Sequence, residues 1–381
     1  AAAAPGPRTP LDVVLPPGAR PPLVAAAAEP VAAAGGVLVA VTATGRDADD
    51  LATALRHYLP ADDVAVLPAW ETLPHERLSP RSDTVARRLA VFRRLAHPEP
   101  GRRGAGPLRA LVVPVRALLQ PVVAGLGELE PVAVRTGDRV DLEDLAERLT
   151  AAAYARVDMV ERRGEFAVRG GILDVFPPTE EHPLRLELWG DTVEEIRWFA
   201  VADQRSLEVA PDGLWAPPCR EILLTDAVRE RAAALADRLP GAAEMLTKLA
   251  EGIPVEGMES LAPVLVDAMV PVVDLLPPRS LVVVAEPERV RRRAHDLTAT
   301  TEEFLAAAWT AAAAGGQVPI DLSRASFAEY DDARTHALAR DLGWWTLGGF
   351  SLEASADGGP ADDAAPDVPP APGEPDGPVG A

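Results

Sequence analysis

The sequence predicts an α/β protein with a parallel sheet, interrupted by a small inserted α+β domain with an antiparallel sheet. Three observations predict it. Short continuous apolar runs, residues 37–41 and "LRALVVPV", are each followed by segments with helical spacing, the pattern of buried parallel strands and their crossover helices. Between residues 154 and about 207 that pattern gives way to period-two alternation broken by Gly and Pro. The strand-to-helix pattern then returns in "RSLVVVAEPERVRRRAHDLTATTEEFLAAAW". A strand of that kind most simply rejoins the first sheet, which makes the α/β domain discontinuous in sequence.

The elements follow in order. Residues 1–10 read as a loose start. After the first strand, residues 47–59 carry Leu51, Leu55 and Leu59 on one helical face, with acids in the first turn where the helix dipole favours them. "DDVAVLPAW" supplies a second strand at 64–67, and "DTVARRLAVFRRLAH" a helix with Val85, Leu89, Phe92 and Leu95 on one stripe. "LRALVVPV" is the third strand. "LEDLAERLTAAAY", "TDAVRERAAALADRL" and "GAAEMLTKLAEGI" read as helices. The expected divisions are 1–129 for the first part of the α/β domain, 130–216 for the β-rich insertion and 217–352 for the second part. Residues 353–381 are Pro, Gly, Ala and acid with no basic residue. Such a segment cannot bury enough apolar surface to order itself, so it reads as a disordered linker or tail leading to a further domain.

Composition excludes several function classes. The 381 residues carry 37 basic and 58 acidic side chains, a net charge of −21. That balance disfavours non-specific binding to DNA or to anionic membranes. The single cysteine, Cys219, rules out a disulfide framework and a cysteine zinc site, and fits a reducing cytoplasmic compartment. No charged start followed by an apolar core marks a signal peptide, and no run of about 18 apolar residues marks a membrane span.

The strand–turn–helix at 37–59 invites a nucleotide-binding reading, and the residues reject it. A phosphate-binding loop needs a Gly-rich turn and a lysine. "TATGRDADD" has neither, and its Asp47, Asp49 and Asp50 repel phosphate. The only lysine, Lys248, lies in the helical "EMLTKLAEG". None of the six histidines pairs at His-x-x-x-His spacing, and no Gly-x-Ser-x-Gly elbow exists. The expected catalytic and metal-ligating sets are empty.

One face of the inserted sheet remains. In "RRGEFAVRGGILDVFPP", Phe166 and Val168 point one way, Ala167 and Arg169 the other, before Gly170 and Gly171 break the alternation as a turn or bulge. In "LRLELWGD", Leu184, Leu186 and Leu188 form one face and Arg185, Glu187 and Trp189 the other. If one face is solvated, it carries Arg169, Arg185, Glu187 and Trp189. Two readings stand: cross-strand ion pairs with Trp189 lying on an arginine stem, or a protein-binding patch, since Arg and Trp dominate interface hot spots.

The stretch "YARVDMVERRGEFAVRGGILDVFPPTEEHPLRLELWGDTVEEIRWFAVADQRS" resembles the UvrB-like module of the bacterial transcription-repair coupling factors. "WETLPHERLSPRSDTVARRL", "VRALLQP" and "AEGIPVEGMESLAPVL" are similar to the same family in family order, over roughly residues 11–350, and the Arg- and Ala-rich habit resembles actinobacterial members. The resemblance implies a degenerate, motor-like α/β domain without an ATP site, and an inserted domain that binds UvrA by imitating UvrB. It implies a UvrA surface made of Arg169, Arg185 and Trp189, with Glu187 and Asp191 beside them. It also implies no cofactor in this chain. ATP, Mg, RNA polymerase and DNA would be handled by other domains of the full-length protein, whose C-terminal domains mask the same surface. The alternative is a UvrB-type ATP- and DNA-binding repair enzyme, with "WETLPHERLSP" as a retained nucleotide- or DNA-adjacent loop rather than a structural one.

Overall fold

The computed structural model describes residues 10–72, 78–313 and 327–349. The expected tail at 353–381 and the middle of the "WETLPHERLSP" block, 73–77, lie outside them. The chain enters through β1 (Leu11–Val14) and α1 (Arg20–Ala33), then alternates β2 (Leu38–Thr42), α2 (Gly45–Leu55), β3 (Val64–Val66), α3 (Ser82–Ala96), β4 (Ala110–Pro114) and α4 (Val115–Leu119). β5 (Val122–Val123) and β6 (Val132–Val134) lead out to α5 (Leu142–Ala151) and to strands β7 (Ala155–Arg156), β8 (Glu165–Arg169), β9 (Ile172–Val175), β10 (Leu184–Trp189), β11 (Thr192–Phe199), β12 (Ser206–Val209) and β13 (Leu214–Ala216). Helices α6 (Asp226–Ala236), α7 (Ala243–Ala250) and α8 (Ala262–Leu265) and strand β14 (Met269–Val270) follow. β15 (Leu281–Ala285), α9 (Pro287–Ala313), α10 (Tyr330–Ala339) and β16 (Gly343–Gly348) complete the described chain.

Six strands form one parallel sheet in the order β1-β16-β15-β2-β4-β3. β15 and β16 pair beside β2, so the α/β layer is discontinuous in sequence, as the returning strand-to-helix pattern implied. Alternating residues of each strand serve opposite cores. Leu38 and Ala40 pack with α1 and α2 through Val24, Ala28, Ala48 and Leu55. Val39 and Val41 pack with α3, α9 and α10 through Leu89, Phe92, Val290 and Ala333.

The inserted domain is a second six-stranded sheet, β12-β11-β10-β9-β8-β7, antiparallel except for the β7–β8 edge pair. Its apolar face, including Phe166, Leu173, Leu184, Leu186 and Ile196, packs on Leu145 and Leu149 of α5 and on the β6–β13 ribbon. Residues 222–269 gather around a third apolar cluster that includes Val228, Leu246 and Leu261. The stretch 217–352, read as the second part of the α/β domain with helices at its start, holds this helical cluster followed by β15 and β16.

Three cores meet at residues 217–221. On one side this segment is sewn to the insertion. The Tyr154 hydroxyl donates to Pro217 O at 2.9 Å, and Cys219 N donates to Ala152 O at 2.9 Å. Burial pushes the Cys219 thiol up to about 12, so it acts as a small apolar side chain and not as a nucleophile. On the other side, Glu221 Oε1 accepts from Arg88 Nε of α3 at 2.5 Å and from Trp70 Nε1 at 3.0 Å, and both charged side chains are essentially unexposed. Arg88 also donates to Pro68 O and lies over the Trp70 and Phe92 rings. Arg220 reaches Glu259 of the helical cluster at 2.6 Å, and Ser79 donates to the same carboxylate at 2.6 Å. Both described ends of the "WETLPHERLSP" block, Trp70 and Ser79, are thus tied into this junction.

Glu221→Ala leaves the Arg88 guanidinium buried without its carboxylate and is expected to lower the unfolding free energy in urea by about 3–5 kcal/mol. A loss below about 1 kcal/mol would contradict the assigned geometry.

Candidate functional site

The face of the inserted sheet opposite α5 is organised by strand register. One cross-strand row runs Ala167, Asp174, Arg185, Arg197, and the next runs Arg169, Ile172, Glu187, Glu195. Trp189 and Thr192 pair one step further out. Arg169, Arg185, Glu187 and Trp189 therefore share the face that sequence parity assigns them. Opposite the junction of Glu187 and Leu188, β11 carries one extra residue, Glu194. This bulge breaks the β10–β11 ladder, and a second register shift lies between Arg197 and Phe199 against β12.

Gly170 and Gly171 are the two-residue turn of the β8–β9 hairpin. Gly170 has φ +61°, a left-handed conformation that costs glycine little. A Cβ on Gly171 would stand 2.9 Å from Leu188 O of the neighbouring strand, closer than real side chains allow. The β10–β11 hairpin turns in the same length, through Gly190 and Asp191. The two tips lie side by side, joined by Leu188 N donating to Gly171 O at 2.8 Å. The second tip is braced from behind, because Val140 N donates to Asp191 O at 2.8 Å and Gly137 N to Val193 O at 2.8 Å.

Depth separates residues that parity had placed together. Arg185 is mostly covered, with its side chain 15% exposed. Its Nε and Nη2 donate to the two oxygens of Asp174 at 2.7 and 2.9 Å, its Nη1 donates to Gln204 O at 3.1 Å, and its guanidinium lies 4.6 Å from the Phe199 ring centroid. The hydrogen bonds to Asp174 push this guanidinium above its ordinary value. Phe199 belongs to a small cluster with Val160, Ala167 and Phe176 that closes this end of the face. The face is solvated at the Arg197–Glu195 pair of β11 and toward the hairpin tips. At the tips Arg169 is about half exposed, tethered through Nη2 to Asp174 Oδ2. Glu187 and Asp191 are exposed, and Trp189 is 77% exposed rather than lying on an arginine stem.

The residue that sequence reasoning missed is Asp174, a fully buried carboxylate in the central strand β9. Its signal was a lone acid inside the apolar run "ILDVF", a placement that requires a paired cation. The Arg197–Glu195 pair on β11, at 2.7 Å, also lies on this face.

At the carboxyl ends of the parallel strands, where α/β sheets take ligands, a cavity of about 460 Å³ is lined by Thr44, Gly45, Glu71, Thr84, Arg87 and Arg116. Only Ala43 and Thr44 separate β2 from α2. Thr44 and Asp47 form a reciprocal cap, so a carboxylate sits at the helix N-terminus. Arg289 of α9 reaches Asp47 at 3.3 Å, and Glu286 pairs with Arg20 at 2.8 Å. Among the described residues no group of His, Cys, Asp and Glu is arranged to hold a metal ion, and no helix is long and apolar enough to cross a membrane.

Residues 132–213 match the family described as the UvrB interaction domain. The match opens at β6 and ends just before β13, enclosing α5 and the whole six-stranded insertion. The stretch similar to the UvrB interaction domain thus sits on a parallel α/β body. The similarity is to transcription-repair-coupling factors in particular. Those of Mycobacterium bovis and Mycobacterium tuberculosis are 51% identical over 336 residues, covering 84% of this chain and 27% of theirs. That of Myxococcus xanthus is 40% identical over 242 residues, 59% of this chain and 19% of its own. That of Escherichia coli is 35% identical over 140 residues, 36% and 12% respectively. The chain spans about a quarter of the length of its mycobacterial relatives.

Removing the exposed Trp189 side chain is expected to change unfolding free energy by less than about 0.5 kcal/mol. Arg185→Ala breaks the better-buried half of the Asp174 pairing and is expected to cost about 3 kcal/mol. Equal costs in thermal or urea unfolding would contradict this division between anchor and strut.

Proposed function

We propose that this chain recruits UvrA of nucleotide excision repair to RNA polymerase stalled at a DNA lesion, through a surface that imitates UvrB, and that it performs no catalysis of its own. The observation that carries the reading is the open end of the inserted sheet. Within a UvrB interaction domain, an almost fully exposed Trp189 stands beside a half-exposed Arg169, on hairpin tips braced by two-residue turns. Rigid aromatic and arginine side chains presented together are what protein interfaces use as anchors. Glu187 and Asp191 form the polar rim, and Arg185 supports the face from beneath.

The non-catalytic reading is supported by the two-residue β2–α2 connection, too short for a Gly-rich phosphate loop, and by the Asp47 carboxylate at the helix start, which repels a phosphate there. ATP, Mg, RNA polymerase and DNA are assigned to regions of the coupling factors that this chain does not span. The C-terminal domains of the full-length protein are assigned an autoinhibitory contact with the same surface. The expected compartment is the cytoplasm.

With immobilised UvrA, Arg169→Ala and Trp189→Ala should each weaken binding about 30-fold or more while circular dichroism stays unchanged. Undiminished binding by both variants would overturn the surface assignment. Isothermal titration with Mg-ATP should show no saturable heat; micromolar binding would overturn the non-catalytic reading.

A further inference from the structure

Asp174 is buried, acidic and central, and its role reaches the surface through one side chain. Its Oδ1 accepts from Arg185 Nε, and its Oδ2 accepts from both Arg185 Nη2 and Arg169 Nη2. Two guanidinium groups thus share one carboxylate. Arg185 takes the enclosed, bidentate share and gains further support from Gln204 O and the Phe199 ring. Arg169 takes a single bond at one corner of its guanidinium and remains 47% exposed. Within this group two cations share one buried anion, Glu187 of β10 lies in the same cross-strand row as Arg169, and Arg169 holds the half-exposed position beside the turn that abuts the Trp189 hairpin.

We infer that Asp174 is a positioning residue for the docking surface: it fixes Arg185 as a base and holds Arg169 in one presented orientation, so that the partner meets a preorganised cation and answers it with a carboxylate or another anionic acceptor. The inference rests on the UvrA-docking reading above. A long arginine without this tether samples many rotamers, and a partner that needs one of them must first order it. Loss of the carboxylate also leaves Arg169 and Arg185 as like charges facing each other across the sheet.

The experiment is a double-mutant cycle on the full chain. UvrA affinity is measured for the wild type, Asp174→Asn, Arg169→Ala and the double variant, with melting temperatures alongside. Positioning through Arg169 predicts that Asp174→Asn weakens binding about 10-fold when Arg169 is present and less than about twofold when residue 169 is already Ala. Equal losses in both backgrounds, or no loss in either, would overturn the inference and leave the docking surface standing. Absence of binding by the wild-type chain would overturn the docking reading and the inference together. Arg169→Lys supplies a check that does not disturb the buried carboxylate. It keeps the charge but has no planar fork to be held at one corner and presented at the other, so binding should fall by about fivefold or more. Wild-type affinity in Arg169→Lys would show that the tethered geometry is not needed.

Discussion

The buried contact between Arg88 and Glu221 is what the architecture depends on. It joins α3 of the parallel layer to the segment that returns from the inserted domain, and it does so with charges that have no access to water. Arg88 Nη2 and Glu221 Oε2 are left without hydrogen-bond partners, so the pair is incompletely compensated. A contact of that kind contributes little net stability against an apolar replacement, yet breaking it from one side is costly. Its effect is to select one geometry. Two residues away Cys219 of the same segment is bonded to Ala152 at the end of α5, and one residue away Arg220 engages the helical cluster. The inserted sheet is thereby carried on a fixed mount.

The site repeats this division on a smaller scale. A buried ion group fixes the frame, and one half-exposed member of it reaches solvent. The strut Arg185 spends its donors internally, whereas the Trp189 ring and the carboxylates of Glu187 and Asp191 stand exposed at the tips. Substitutions at the tips can therefore alter recognition with little effect on the fold, whereas substitutions one row inward affect both.

Much of the fold was legible because it follows hydrophobic period. β2, β4 and α3 announce themselves in "VLVAV", "LVVP" and the Val85–Leu89–Phe92 stripe. α1 did not, because "RPPLVAAAAEPVAA" is rich in alanine and carries almost no amphipathic contrast, although Ala25 and Ala28 are buried. β16 was hidden in "GWWTLG", a strand whose glycines and tryptophans make no clean alternation. In the site, parity gave the correct side for Arg169, Arg185, Glu187 and Trp189. It could not give depth, since a period of two says nothing about the loop at 200–204 and the Phe199 cluster that cover Arg185. Asp174 escaped for the same reason: its cations lie 5 and 11 positions away in sequence, brought together only by the β8–β9 and β9–β10 ladders.

The two hairpin turns that bear the surface are each two residues long, and each feeds strands whose other face is core. A single inserted or deleted residue within β8 or β10 would exchange faces, sending Arg169 or Trp189 inward and an apolar neighbour outward. Length and composition are thus under different selection here. Exposed side chains at these tips can be exchanged at little cost to the fold, but the turns cannot lengthen the way the loops of antibody-like scaffolds do.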